Sequence, residues 1–144
     1  MEKYYNSKTK TLTLPNNFNK EIDKIPEGTQ KIIFCDDLFL GKYSIFNQKI
    51  DRLPNSITHL TFGYYFDQKI NNFTYIEHLH IWSNYKYINF LPNIIEQLDI
   101  YYANYNNKIN NLPLNIKKIR TNKKDYEKFI KIPFSCIVEK VDFL

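Results

Sequence analysis

A pattern of apolar and polar positions recurs along this chain about every 20 residues. Each copy opens with an apolar residue and a proline, and then apolar and polar residues alternate over a short segment. Openings of this kind stand at Ile25-Pro26, Leu53-Pro54, Leu91-Pro92, Leu112-Pro113 and Ile132-Pro133. They begin 28, 38, 21 and 20 residues apart, and the interval of 38 contains two 19-residue copies if Asn72-Phe73 opens a unit without its proline. The alternation predicts a strand with one buried face. Because so short a unit cannot bury its own apolar side chains, successive units must stack on one another as a solenoid.

The predicted strands align their apolar residues in columns. We expect strands over Lys31–Phe34, Thr58–Phe62, Glu77–Ile81, Gln97–Tyr101, Lys117–Thr121 and Ile137–Phe143, after a first strand at Lys10–Leu14. Leu60, Leu79 and Leu98 then stand one above another, as parallel in-register stacking requires. The expected fold is a mainly β repeat solenoid of five to seven rungs, with a parallel sheet on its concave face, irregular returns on its convex side and little helix.

The return segments share an aromatic residue followed four positions later by isoleucine. These pairs are Phe18 and Ile22, Phe46 and Ile50, Phe66 and Ile70, and Tyr105 and Ile109. We expect residues 1–24 to form an N-terminal cap strand and first return, 25–122 the repeats, and 123–144 a C-terminal cap. This cap should hold a short helix over Asp125–Lys131 and a last strand with Ile137, Val141 and Phe143 pointing inward.

The openings and two of the returns resemble a known family. Leu-Pro pairs combined with Phe46-Asn47-Gln48-Lys49-Ile50 and Phe66-Asp67-Gln68-Lys69-Ile70 resemble the FNIP repeat, a relative of leucine-rich repeats that is abundant in social amoebae and giant DNA viruses. The usual form ends in Phe-Asn-Gln-Pro-Ile, and lysine replaces its proline here. The resemblance covers about residues 11–132 and implies a leucine-rich-repeat-like solenoid. FNIP arrays are often joined to an F-box or another module that recruits the ubiquitin machinery. Only 24 residues precede the first clear unit here, which is too few for an F-box, so we do not expect a role in ubiquitin recruitment.

Composition and motifs argue against an enzyme. The chain has three glycines and contains no Gly-rich phosphate loop, G-x-S-x-G, CxxC or HExxH motif, so we expect no catalysis and no cofactor. Its first residues lack the apolar core of a secretory signal, and no apolar stretch approaches the length of a membrane span. Cys35 and Cys136 belong to distant units, which indicates two reduced thiols. A cytoplasmic protein is expected, in the host cytoplasm if it is viral.

The outward residues of the strands form the candidate binding surface. Concave sheets of solenoids usually bind partners, and Trp, Tyr and Arg are favoured at interface hot spots. We therefore predict a monomeric scaffold that binds a protein partner. The predicted partner-binding residues are His59, His78, His80, Trp82, Gln97, Asp99, Tyr101, Lys118 and Arg120.

Two alternatives use the same surface. The net charge of +5 permits nucleic-acid binding, with stacking of bases on Trp82 and Tyr101. The basic residues available for this are Lys118, Arg120, Lys123 and Lys124. The more remote alternative is a zinc site at His59, His78 and His80, with Asp99 as an orienting residue or fourth ligand.

Overall fold

The structure, a computed structural model, describes residues 1–70, 73–103 and 106–142 and consists mainly of one sheet. Its strands, in chain order and in spatial order, are β1 (Tyr5–Asn6), β2 (Thr11–Leu14), β3 (Lys31–Phe34), β4 (His59–Thr61), β5 (His78–Trp82), β6 (Gln97–Tyr101), β7 (Lys118–Thr121) and β8 (Ile137–Lys140). Strands β2 to β8 are parallel, and β1 pairs antiparallel with β2. The predicted β-solenoid is thus confirmed, with about seven turns.

Helix is confined in the described residues to three short 3-10 segments. They span Glu2–Tyr4, Ile88–Phe90 and Tyr126–Lys128. None of these described helices is long and apolar enough to cross a membrane.

The central column of the core is built as the repeat predicts. Leu60 lies beside Leu79 and Leu79 beside Leu98 in the strand register, and the column continues to Ile32 and Ile119. Each of these side chains is at most 2% exposed. Equivalent residues of successive turns therefore bury one another, which no single turn could do alone.

The prolines of the openings start tight turns that lead into the strands. The carbonyl oxygen of each of these five prolines accepts a hydrogen bond from the backbone N–H three residues later, as between Pro54 and Ile57 at 3.0 Å. Proline suits the start of such a turn because its φ is fixed and it has no N–H to satisfy. The turn directs the residue after it inward, so that Ile57, Ile95 and Ile116 are buried.

The return segments are held by a stack of rings and a chain of asparagines. The rings of Phe18, Phe46, Phe66 and Tyr85 follow one another with centroids 6.1, 6.1 and 5.9 Å apart. Asn19 Oδ1 accepts the N–H of Asn47 at 3.0 Å, and Asn47 Oδ1 accepts the N–H of Asp67 at 2.9 Å. The Phe-Asn pair thus supplies an apolar contact and a hydrogen bond to the next turn. The expected anchor Tyr105 lies outside the described residues.

The C-terminal cap differs from expectation in three respects. The expected helix over Asp125–Lys131 is only the 3-10 turn Tyr126–Lys128. In β8, Ile137 is 69% exposed beside Lys118, whereas Val138 continues the central column beside Ile119. The prediction that Ile137 points inward was wrong, because a shift of one residue moves every side chain of a strand to the other face. The strand ends at Lys140, so Val141 follows it, and Phe143 lies outside the described residues.

Candidate binding face

The outward side chains of β3 to β8 form one surface, here called the strand face. Its rows follow the strand register as predicted. One row contains Lys31, His59, His78, Gln97 and Lys118, the next contains Ile33, Thr61, His80, Asp99 and Arg120, and a third places Trp82 beside Tyr101. All three histidines of the chain therefore lie on this face.

A buried carboxylate stands at the centre of the strand face. Asp99 is 3% exposed, and its Oδ2 lies 3.0 Å from His78 Nε2 and 3.2 Å from Arg120 Nη1. Gln97 Nε2 donates to its Oδ1 at 3.2 Å, and His80 Nδ1 lies 3.8 Å from Oδ2. The sequence pattern predicted that Asp99 lies on this surface. It did not predict that Asp99 is buried there, under side chains that converge on it from β5, β6 and β7.

These contacts decide the charge state of the centre. Burial by itself would raise the pKa of Asp99, but the hydrogen bonds from His78, His80 and Gln97 outweigh burial and hold the pKa well below its usual range. Asp99 is therefore an anion at neutral pH. Burial lowers the pKa of His59, and repulsion by His78 and Lys31 lowers it further, so this ring is neutral there.

The histidines do not form a metal centre in the described residues, which contain no group of three or more His, Cys, Asp or Glu side chains placed to hold an ion. His78 is turned toward Asp99, and His59 Nδ1 lies 2.8 Å from Thr58 Oγ1. The rings of His59 and His78 meet edge to face, 5.0 Å apart. Asp99 is thus a hydrogen-bonding centre for His78 and its neighbours.

Trp82 is buried, which corrects the expectation that it is an exposed contact. It is 4% exposed, because Tyr43, Tyr64 and Tyr101 pack against it with ring centroids 5.6, 5.0 and 4.3 Å away. Its indole N–H donates to Asp36 Oδ2 at 2.8 Å. These three aromatic neighbours are half-exposed, and Tyr101 lies on the strand face itself.

One of the covering side chains, Tyr43, belongs to a loop that the repeat does not contain. Residues 37–45 follow β3, and Asp37 and Lys42 exchange backbone hydrogen bonds of 2.6 and 2.9 Å across it. Asp36 ties the loop down, since its Oδ1 accepts the N–H of Ser44 at 2.5 Å. The loop packs so closely that a Cβ on Gly63 would lie 2.7 Å from Asp36 Oδ1. A side chain at position 63 would therefore force the loop to shift, and nothing in the repeat pattern indicated this close approach.

Three of the four basic residues proposed for nucleic-acid contact are paired with carboxylates of the chain. Lys118 Nζ lies 2.6 Å from Glu139, Arg120 Nη1 3.2 Å from Asp99, and Lys123 Nζ 3.8 Å from Asp125. Binding to phosphate would have to compete with these pairs. The arrangement does not favour the nucleic-acid alternative.

The family comparison agrees with this architecture. The model of the FNIP Repeat family matches residues 46–74. This segment is an FNIP repeat. It begins at the Phe46 return, passes through β4 and includes the Phe66 return, so the resemblance seen in the sequence is confirmed there. No curated protein and no solved structure matches the chain.

Proposed function

We propose that this chain is a non-enzymatic scaffold that binds a protein partner through its strand face. The FNIP repeat and the solenoid fold support a repeat scaffold, and solenoids commonly bind partners on their sheet surface. The residues offered to the partner are the half-exposed ones, among them His80, Tyr101 and Arg120. Trp82 and Asp99 serve beneath them as supports.

The observation that carries this proposal is the arrangement around Asp99. A buried anion with charged and polar neighbours contributes little net stability when compared with apolar packing. Stability alone therefore does not explain why Asp99 lies in the middle of the sheet. Asp99 fixes His78 and Arg120 while leaving their side chains 24% and 32% exposed. Side chains that are already held in place lose less conformational entropy when a partner binds. The network therefore suits a pre-organised polar interface.

A capture experiment with two matched double variants tests the proposal. The first carries Tyr101→Ala and Arg120→Ala on the strand face, and the control carries Lys108→Ala and Lys131→Ala at exposed positions outside it. Proteins retained from a cell lysate are identified by mass spectrometry, and the affinity of the purified partner is then measured by calorimetry. Far-UV circular dichroism first establishes that both variants are folded.

We expect the strand-face variant to bind the purified partner at least tenfold more weakly, since hot-spot truncations cost more than about 1 kcal/mol each. The control should bind as the wild type does. A partner lost by the control variant and kept by the strand-face variant would place the interface elsewhere and refute the proposal.

A further inference from the structure

The end of the strand face where the strands finish holds a second carboxylate, that of Asp36. Asp36 follows β3 and is half-buried. Its hydrogen-bond donors are all neutral: the N–H of Ser44 at 2.5 Å, the N–H of Tyr64 at 3.4 Å and Trp82 Nε1 at 2.8 Å. No lysine or arginine in the described part of the chain forms an ion pair with it. Desolvation accordingly raises the pKa of Asp36, and its hydrogen bonds offset this only in part.

Asp36, which is half-buried, contrasts with the fully buried Asp99 on the same face. Asp99 has Arg120 and two histidines beside it, whereas ionised Asp36 is favoured by the charge of His80 only weakly in comparison with its hydrogen bonds. A partly buried carboxylate is stabilised by a cation that reaches it without water between them. Within the described residues, the sheet therefore supplies that cation at Asp99 but places no lysine or arginine against Asp36.

A cavity of about 160 Å³ opens beside Asp36. Asp36, Leu38, Thr61, His80, Trp82 and Tyr101 are among the residues that line it. The indole of Trp82 is held in place by its hydrogen bond to Asp36 and by the edge-on rings of Tyr43 and Tyr64. Aromatic rings attract cations through the ring quadrupole, and a carboxylate beside them attracts cations through its negative charge. The same carboxylate repels anionic ligands.

We propose that this cavity takes the guanidinium group of an arginine side chain of the protein partner. The inference rests on the proposed function and adds the chemistry of one contact. A guanidinium is planar, stacks on aromatic faces and donates hydrogen bonds to a carboxylate, so it matches both the rings and Asp36. It is also less strongly hydrated than the lysine ammonium and enters a partly apolar cavity more readily.

The single tryptophan of the chain reports directly on this cavity. Its fluorescence is followed while N-acetylarginine amide is added to the full chain at constant ionic strength. N-acetylcitrulline amide, which has nearly the same shape and no charge, is the matched control ligand. We expect a saturable change with the arginine compound, at a Kd of roughly tens of millimolar, since the ion pair and the cation–π contact are each expected to contribute about fivefold, and none with citrulline. No saturable change with arginine, or an equal one with citrulline, would overturn the proposal.

Variants separate the carboxylate from the rings. Asp36→Asn removes the charge, and Tyr101→Leu removes an aromatic wall while leaving Asp36 and its donors in place. Each should weaken arginine binding about fivefold or more, which corresponds to the loss of one such contact. Asp37→Asn changes the adjacent charge outside the cavity, and its side-chain oxygen still accepts the N–H of Leu40. If Asp37→Asn weakens binding as much as Asp36→Asn does, or if N-acetyllysine amide binds more tightly than the arginine compound, the assignment is wrong.

The titration and the capture experiment fail independently. If arginine binds in the cavity but no partner depends on the strand face, the cavity is real and the proposed function is wrong. If the purified partner depends on Tyr101 and Arg120 but binds Asp36→Asn as tightly as the wild type, the function holds and the arginine contact does not.

Discussion

Replacement of Leu79 by alanine tests the stacking of the turns most directly. Leu79 is fully buried in β5 and lies in register between Leu60 and Leu98. The change removes three carbon groups, which at about 0.8 kcal/mol each costs roughly 2.4 kcal/mol of transfer free energy. A residual cavity of roughly 50 Å³, at about 24 cal/mol per Å³, adds about 1.2 kcal/mol. We therefore expect the free energy of unfolding to fall by about 3–4 kcal/mol, within the usual range for buried leucine.

Urea unfolding, followed by tryptophan fluorescence and by far-UV circular dichroism, measures this loss. Coincident transitions from the two probes establish that the array unfolds as one cooperative unit. The matched control is Leu114→Ala, because Leu114 is 82% exposed and its truncation should change stability by less than about 0.5 kcal/mol. A loss below about 1 kcal/mol for Leu79→Ala, or equal losses for the two variants, would refute the stacked core.

Further predictions concern the charges, the loop and the alternatives. Because the pKa of Asp99 is lower in the folded than in the unfolded chain, its ionised form stabilises the fold above pH about 4, and this contribution is lost as pH falls through the folded pKa. Asp99→Asn should remove that part of the acid dependence of the melting temperature, and an unchanged pH profile would contradict the network. Gly63→Ala should destabilise the chain by roughly 1–3 kcal/mol in urea, since the new Cβ would meet Ser44 and Asp36, whereas a neutral effect would mean that the loop packs less closely. Zn²⁺ should leave the melting temperature unchanged, and a rise that His78→Ala abolishes would establish the metal site. In filter binding at low salt we expect no retention of nucleic acid, and retention that falls steeply with salt would favour the alternative function.

The solenoid was predictable because its signal is repeated. Leu60, Leu79 and Leu98 each stand at the equivalent position of a short alternating segment. A strand that is poorly indicated in one unit can therefore be assigned from the equivalent positions of the other units. The signal weakened where alternation failed. In β8, the two apolar residues Ile137 and Val138 are adjacent, and the two polar residues that follow are adjacent as well. The sequence therefore did not indicate which of the two apolar residues points inward, and only the pairing of β8 with β7 decides this. Tyr5–Asn6, which forms β1, is too short to carry any periodicity.

The sequence by itself determined which residues share the strand face, since a period of two and a parallel register leave each side chain only one of two faces. It could not determine how deeply those residues lie. Trp82 is buried because aromatic side chains from three different turns pack around it, and Asp99 is buried because side chains from the strands on either side converge on it. Burial is a property of neighbours brought together from distant parts of the chain, whereas alternation is local. For that reason only the tertiary structure separated the supports of the face from its accessible contacts and placed Asp36 at a cavity.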